Sequence, residues 1–130
     1  MSVALTIRLL APDEWQTYRA LRLRSLSDSP GAFESTLEEE EGRSEEEWSH
    51  RLMSAGDPRW NLPLVAESEG EAVGLAWGHI EAAKPHVANL YKMWVSPDQR
   101  HRGVGRMLLE AVIAWARERE VDCLELDVVC

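Results

Sequence analysis

Positive charge is scarce in this chain of 130 residues. Fourteen Lys and Arg oppose 23 Asp and Glu, which gives a formal net charge of −9. This balance argues against proteins that hold nucleic acid through nonspecific attraction to phosphates. No apolar run approaches the ~20 residues of a membrane span, and the apolar run at the start is too short for a signal peptide. We therefore predict a cytoplasmic protein that binds neither nucleic acid nor a membrane.

Cysteine, glycine and proline are scarce as well. The two cysteines, Cys123 and Cys130, have neither CxxC spacing nor a nearby histidine pair, so we predict neither a disulfide framework nor a metal site. Cys123 is predicted to be a small buried hydrophobic residue. Eight glycines and six prolines, beside 45% hydrophobic residues, exclude collagen-like and low-complexity chains. The length suits a single domain over residues 1–130.

Hydrophobic periodicity predicts an α/β order of elements: strand, two helices, three strands, helix, strand. The predicted strands span residues 3–10, 61–67, 72–80, 86–95 and 121–129. The fourth and fifth strands are joined by the clearest helix of the chain, which predicts a parallel crossover. Within the fourth strand, the apolar spacing from Leu90 to Met93 breaks the period of two that Met93 and Val95 keep. This break predicts a bulge.

The most informative segment lies between the fourth strand and that helix. It contains two glycines and three arginines: Arg100, Arg102, Gly103, Gly105 and Arg106. The start of a helix offers free backbone N–H groups and the positive end of its dipole, and so suits anionic phosphates. Glycines allow close backbone approach, and arginines add charge-assisted donors. The segment matches neither a Walker A loop nor GxGxxG. The alternative to a phosphate site is that the glycines only allow close packing and the arginines are solvated.

Residues 100–105, Arg-His-Arg-Gly-Val-Gly, resemble the acetyl-CoA signature of the GNAT superfamily of N-acetyltransferases. The preceding run from Leu90 to Pro97 and the following helix are similar to that family too, as is the order of elements from residue 3 to 129. The resemblance implies a mixed, splayed β-sheet flanked by helices, of the acyl-CoA N-acyltransferase type. It also implies acetyl-CoA as cosubstrate and no metal.

The resemblance further implies which groups hold the coenzyme. Main-chain groups of Met93, Trp94 and Val95 would pair with the pantetheine amides. The pyrophosphate would be held by the loop, whose candidate residues are Arg100, His101, Arg102, Gly103, Val104, Gly105 and Arg106. The backbone N–H of Val95 would stabilise negative charge on the thioester oxygen.

The implied reaction is direct attack of a primary amine, on a small molecule or peptide, on the thioester carbonyl. The amine must be neutral, so a group must accept its proton. The candidates are Tyr91, Asn89, His79, Glu81 and Glu34; Tyr91 is our catalytic candidate, although simple packing explains Tyr91 and His79 equally well. Glu34 is also a candidate for binding the amine. The acidic segment that it begins, which ends at Glu47, either attracts that amine or is a solvated surface.

Family members usually continue past the fifth strand with a tyrosine-bearing helix and two strands. The resemblance therefore implies a sheet truncated after the fifth strand, and an exposed last strand favours a homodimer. Two alternative hypotheses remain at this stage. One is a non-catalytic acyl-CoA-binding module, or an incomplete domain that needs a partner chain for activity; the other is a structural domain without a ligand.

Overall fold

A five-stranded sheet with helices on both faces forms the centre of the computed structural model, which describes residues 5–28, 36–54, 56–57, 59–100 and 102–126. In chain order the elements are β1 (Leu5–Leu9), α1 (Trp15–Asp28), α2 (Leu37–Glu41), α3 (Glu45–Met53), β2 (Asn61–Ser68), β3 (Glu71–Ile80), β4 (Val87–Val95), a 3-10 turn (Pro97–Gln99), α4 (Val104–Glu118) and β5 (Cys123–Leu126). This order confirms the predicted α/β class. The separate helix α2 was not predicted.

The strands lie in the sheet in the order in which they occur in the chain. The first four are antiparallel, and β5 runs parallel to β4, with Val87 opposite Cys123 and Leu90 opposite Leu126. The crossover through α4 is therefore confirmed. Cys123 is exposed, so its predicted burial is wrong: it begins a short strand that has a neighbour on only one side within the described sheet.

The hairpin between β2 and β3 closes through Glu69 and Gly70. Both residues have positive φ, +53° and +81°, as a primed two-residue turn requires. The register between β2 and β3 then shifts by one residue, because Val73 in β3 has no partner in β2. Because of this shift, Asn61 lies opposite His79 instead of Gly78.

The predicted bulge is present in β4. The register between β3 and β4 changes by one residue, so that Lys92 and Met93 together face Ala76. Lys92 has φ +56°, a left-handed conformation that is uncommon for residues with a side chain. The bulge predicted from the irregular apolar spacing is therefore confirmed.

Two hydrophobic cores cover the two faces of the sheet. The helical side chains of the α4 face are Val104, Leu108, Val112 and Trp115. Those of the opposite face, from α1 and α3, are Tyr18, Leu21, Trp48 and Leu52. Burial on both faces explains why β2 and β3 are almost continuously apolar.

A glycine in β3 lets α4 pack close to the sheet. A Cβ on Gly74 would lie 3.2 Å from Ala66 Cβ, 3.2 Å from the carbonyl oxygen of Trp94 and 3.3 Å from Leu108 Cδ1. One of these three neighbours is backbone, which cannot move independently of the sheet. The spacing between β2, β4 and α4 therefore depends on the absence of a side chain here.

A buried ion cluster explains part of the acidic segment. Glu40 is only 1% exposed, and its carboxylate lies 2.8 Å from Arg51 and 3.1 Å from Arg43. Burial raises the pKa of Glu40, but hydrogen bonds from the two arginines outweigh this effect and hold the pKa below its ordinary value. The adjacent Glu41 is exposed, as a solvated surface requires. Glu34 lies outside the described residues.

Replacing Glu40 with Gln should lower the free energy of unfolding by about 3 kcal/mol, because two arginines would lose their shared anion. Glu41→Gln is the matched control and should change it by no more than about 0.5 kcal/mol. Urea denaturation at neutral pH measures both.

The pH dependence of this loss follows from the lowered pKa of Glu40. The stabilisation is fully present above the ordinary pKa of Glu, about 4.3, and is lost as the pH falls through the lower pKa of the folded state. The stability difference between wild type and Glu40→Gln should therefore shrink on acidification. A difference that stays constant would contradict the ion cluster.

Gly74→Ala should destabilise the protein by about 1–3 kcal/mol, because the added methyl group meets a tightly packed sheet and helix. Gly42→Ala is the control, since a Cβ there would lie at an ordinary 3.6 Å from its nearest neighbour. Thermal denaturation of the two variants tests the difference. Equal losses would show that the close packing at Gly74 is not required.

Candidate active site

The predicted phosphate loop joins β4 to α4. Gly103 caps α4 with φ +82°, a conformation that glycine adopts without a side-chain penalty. The first hydrogen bond of the helix runs from Met107 N to Gly103 O, at 3.0 Å. The N–H groups of Val104, Gly105 and Arg106 therefore have no acceptor within the helix. They provide the donors that an anion needs.

Gly105 lets the helix start directly against β4. A Cβ at this position would lie 3.1 Å from Met93 Cε and 3.7 Å from Val95 Cγ2. The free N–H groups of the helix consequently lie beside the bulged end of β4. The loop and the strand form one continuous surface.

The charged side chains of the loop are not equivalent. Arg102 is exposed and makes no ion pair with any residue in the described ranges. Arg106 is paired with Glu110, at 2.9 Å on the exposed face of α4. His101, the other predicted loop contact, lies outside the described residues. Arg102 is thus the described loop side chain that is most available to a ligand.

Arg100 turns back towards the strand. Its Nε donates to the carbonyl oxygen of Val95 at 3.0 Å, and its Nη2 donates to Asp28 at the end of α1. Trp94 Nε1 donates to the same Asp28 oxygen at 3.0 Å. The end of α1 thereby connects the loop to the bulged strand, which the sequence pattern did not indicate.

The peptide groups at the end of β4 alternate in direction. Ser96 N donates to Val73 O in β3 at 2.8 Å, and the Trp94 carbonyl also faces β3, close to Gly74. In an antiparallel ladder the residue between two such positions turns its N–H and C=O the other way. Val95 therefore directs both groups away from β3. Among the described residues, β5 pairs with β4 only as far as Leu90.

Polar side chains meet on the α1 face of the sheet. Asn61 Oδ1 accepts a hydrogen bond from Trp77 Nε1 at 3.1 Å and lies 2.8 Å from His79 Nδ1. An indole N–H can only donate, so the Asn61 atom that it meets must be the oxygen. Because this oxygen can only accept a hydrogen bond, the proton of the His79 ring must be on Nδ1. The neutral imidazole then keeps its lone pair on Nε2, where it can accept a proton.

The structure brings three of the five predicted proton acceptors together. The ring of Tyr91, half-buried on β4, lies 6.0 Å from that of His79. Asn89 faces His79 across the two strands. Glu81 is exposed after the end of β3, and Glu34 lies outside the described residues. Asn61 was not foreseen, since its contact depends on the register shift between β2 and β3.

The described part of the chain contains neither a metal-binding cluster nor a membrane-spanning helix. No group of three or more His, Cys, Asp or Glu side chains there is arranged to hold a metal ion. None of the helices described is both long and apolar enough to cross a membrane. The longest of them, α4, has 15 residues.

Comparison with known sequences agrees with the resemblance. The family model "Acetyltransferase (GNAT) family" matches residues 19–130. Mycothiol acetyltransferase from Thermobispora bispora is 31% identical over 117 residues, which cover 87% of this chain and 37% of the relative. The chain thus spans little more than a third of that relative's length.

Comparison with solved structures gives the same fold. An acetyltransferase of the GNAT family from Streptococcus pneumoniae has a TM-score of 0.75 at 22% identity, covering 95% of this chain and 73% of its own. The PaiA N-acetyltransferase from Thermoplasma acidophilum, solved in complex with coenzyme A, has a TM-score of 0.72 at 19% identity, covering 91% and 75%. The predicted fold is confirmed. With a family match over most of its length, this chain belongs to the GNAT family of acetyltransferases.

Proposed function

We propose that the protein transfers the acetyl group of acetyl-CoA to a primary amine of a small molecule or peptide. One observation carries the proposal: the peptide groups of Val95 turn away from β3 beside the unpaired N–H groups at the start of α4. Such a junction offers two adjoining sites, one for an arm that carries amides and one for a pyrophosphate. The T. bispora relative, named as an acetyltransferase, and the neighbour solved with coenzyme A support this assignment.

We assign the pyrophosphate to the backbone N–H groups from residue 101 to Arg106, with Arg102 as a side-chain donor. His101 stays a predicted contact. The positive end of the α4 dipole favours the same charge. This arrangement explains how a chain of net charge −9 holds an anion: the donors are concentrated at one helix start.

The pantetheine arm would pair with main-chain groups of Met93 and Val95. We leave Trp94 out of this pairing because its carbonyl faces β3. The Val95 carbonyl now accepts from Arg100, so pairing there requires that guanidinium to move. Once released, Arg100 is free to approach a phosphate.

The chemistry is a direct displacement. The amine nitrogen forms the new bond to the thioester carbonyl carbon, the C–S bond breaks, and the thiolate leaves and takes up a proton. The N–H of Val95, fixed by the strand, would donate to the carbonyl oxygen as its negative charge develops. We assign acceptance of the amine proton to His79 Nε2, since Asn61 fixes the proton of that ring on Nδ1. The proton would pass through bound water, because His79 lies five residues along β3 from Gly74, which faces Val95. Tyr91, two positions before Met93, is the second catalytic candidate.

The remaining assignments rest on sequence. We propose one GNAT domain over residues 1–130 that works in the cytoplasm without nucleic acid or membrane partners. The charge balance and the scarcity of cysteine support this setting. A homodimer through β5 stays a prediction.

Arg102→Glu should weaken coenzyme A binding at least about tenfold, because a charge-assisted donor is replaced by a repulsive charge. Arg117→Glu, an exposed arginine in the last turn of the same helix, is the matched control and should bind like wild type. Calorimetric titration with coenzyme A measures all three proteins. Folded wild-type protein that binds no coenzyme A would contradict the proposed function.

His79→Gln should lower turnover about 100-fold by removing the proton acceptor, while coenzyme A affinity stays unchanged. His50→Gln, an exposed histidine on α3, should leave turnover intact. Thiol release with a panel of amines measures the rates. Undiminished turnover in His79→Gln would assign proton transfer elsewhere, and Tyr91→Phe then tests the second candidate.

A further inference from the structure

Lys92 occupies an unusual position in the β4 bulge. With φ +56° it adopts a conformation that is costly for a lysine, so the surrounding contacts must hold it there. Lys92 reaches the aromatic residues of the α1 face, as its neighbour Tyr91 does, although a regular strand would place the two on opposite faces. Met93, the other bulge residue, packs towards α4 and Gly105. Bulges beside active sites often redirect a side chain in this way.

Neutral aromatic groups surround the ammonium of Lys92. Its Nζ donates to Tyr18 Oη at 3.0 Å and lies 4.8 Å from the ring centroid of Trp77. Tyr18 is completely buried and Trp77 is 8% exposed. Within the described ranges, no carboxylate lies at ion-pair distance from Nζ. Cation–π contacts of this kind orient a cation without neutralising it.

Three other half-buried basic residues of the described chain show the contrast. Arg43 and Arg51 share the carboxylate of Glu40, and Arg8 binds Glu14 and Glu67. Acids exceed bases by nine in this sequence, yet none of the described acids is placed against Lys92. A half-buried cation that is fixed in position but lacks an anion is suited to bind an external one.

We propose that Lys92 binds a carboxylate of the acceptor, so that preferred acceptors are amino acids or peptides that carry a carboxylate as well as the reacting amine. This inference rests on the proposed function and defines its substrate class. A single ammonium matches a single carboxylate in charge. The ammonium retains two N–H donors beyond the one that Tyr18 accepts.

The position of Lys92 also limits the shape of the acceptor. Lys92 precedes Val95 by three residues, a separation of about 10 Å along a regular strand that the bulge shortens. The amine would react beside Val95 while the carboxylate is held at Lys92. This spacing suits a molecule whose amine and carboxylate lie at opposite ends of a short chain. Lysine and ornithine, reacting through their side-chain amines, are examples.

The test compares each amino acid with the diamine that lacks only its carboxylate: lysine with cadaverine, and ornithine with putrescine. Wild type should favour the amino acid at least about tenfold in kcat/KM. Lys92→Met should lose this preference, mainly through a higher KM for the amino acid, with no loss of activity towards the diamine. Lys84→Met, at the other lysine of the chain, which is exposed, is the control and should keep the preference. Lys92→Arg should restore part of it.

A coenzyme A titration separates failure of this inference from failure of the proposed function. Wild type that binds no coenzyme A contradicts the function itself. Wild type that binds coenzyme A and acetylates both members of a pair equally well contradicts only the role of Lys92. Weaker coenzyme A binding by folded Lys92→Met would show that Lys92 binds an anionic group of the coenzyme, and would also overturn the inference.

Equilibrium binding provides a readout without turnover. Trp77 lies close enough to Lys92 for its fluorescence to report a bound acceptor in the presence of coenzyme A. Lysine and ornithine should bind more tightly than their diamines to wild type, and equally to Lys92→Met. Equal binding, or no binding, of all four compounds to wild type would overturn the inference.

Discussion

The extra residue in β4 is the constraint on which the candidate site depends. An antiparallel ladder alternates its peptide groups strictly, and one inserted residue resets that alternation for everything that follows. Here the shift leaves the N–H and C=O of Val95 facing away from β3, and it places Lys92 on the same face of the sheet as its neighbour Tyr91. Without the bulge, the helix start, the strand and the lysine would not have their polar groups in the positions from which we propose that they bind one acceptor and one coenzyme.

Local sequence signals predicted the parts of the fold that short segments determine. The bulge was visible in the spacing of Leu90 and Met93, and the helix start in Gly103 and its neighbouring arginines. A left-handed helix cap needs glycine, and an interrupted period of two needs an extra residue, so each signal has a direct physical cause. The family resemblance followed from the same residues.

Contacts between distant segments could not be predicted in this way. The pairing of Asn61 with His79 depends on a one-residue register shift between β2 and β3 that no turn residue indicates. The burial of Glu40 depends on how α2 packs. Nothing in the sequence distinguishes its arginine partners from arginines exposed to solvent. Arg100 was expected to face a phosphate, yet it bonds to Val95 and Asp28, because α1 ends beside the loop in three dimensions.

The most direct measurement of the central claim is the amide NMR response to coenzyme A, residue by residue. We expect large shifts for the amides of Val95, Gly105 and Arg106, which would face the coenzyme, and a small shift for Trp94, whose peptide groups face β3. Shifts confined to other parts of the sheet, or equal shifts for Trp94 and Val95, would contradict the claim that the bulge aims this surface at the coenzyme.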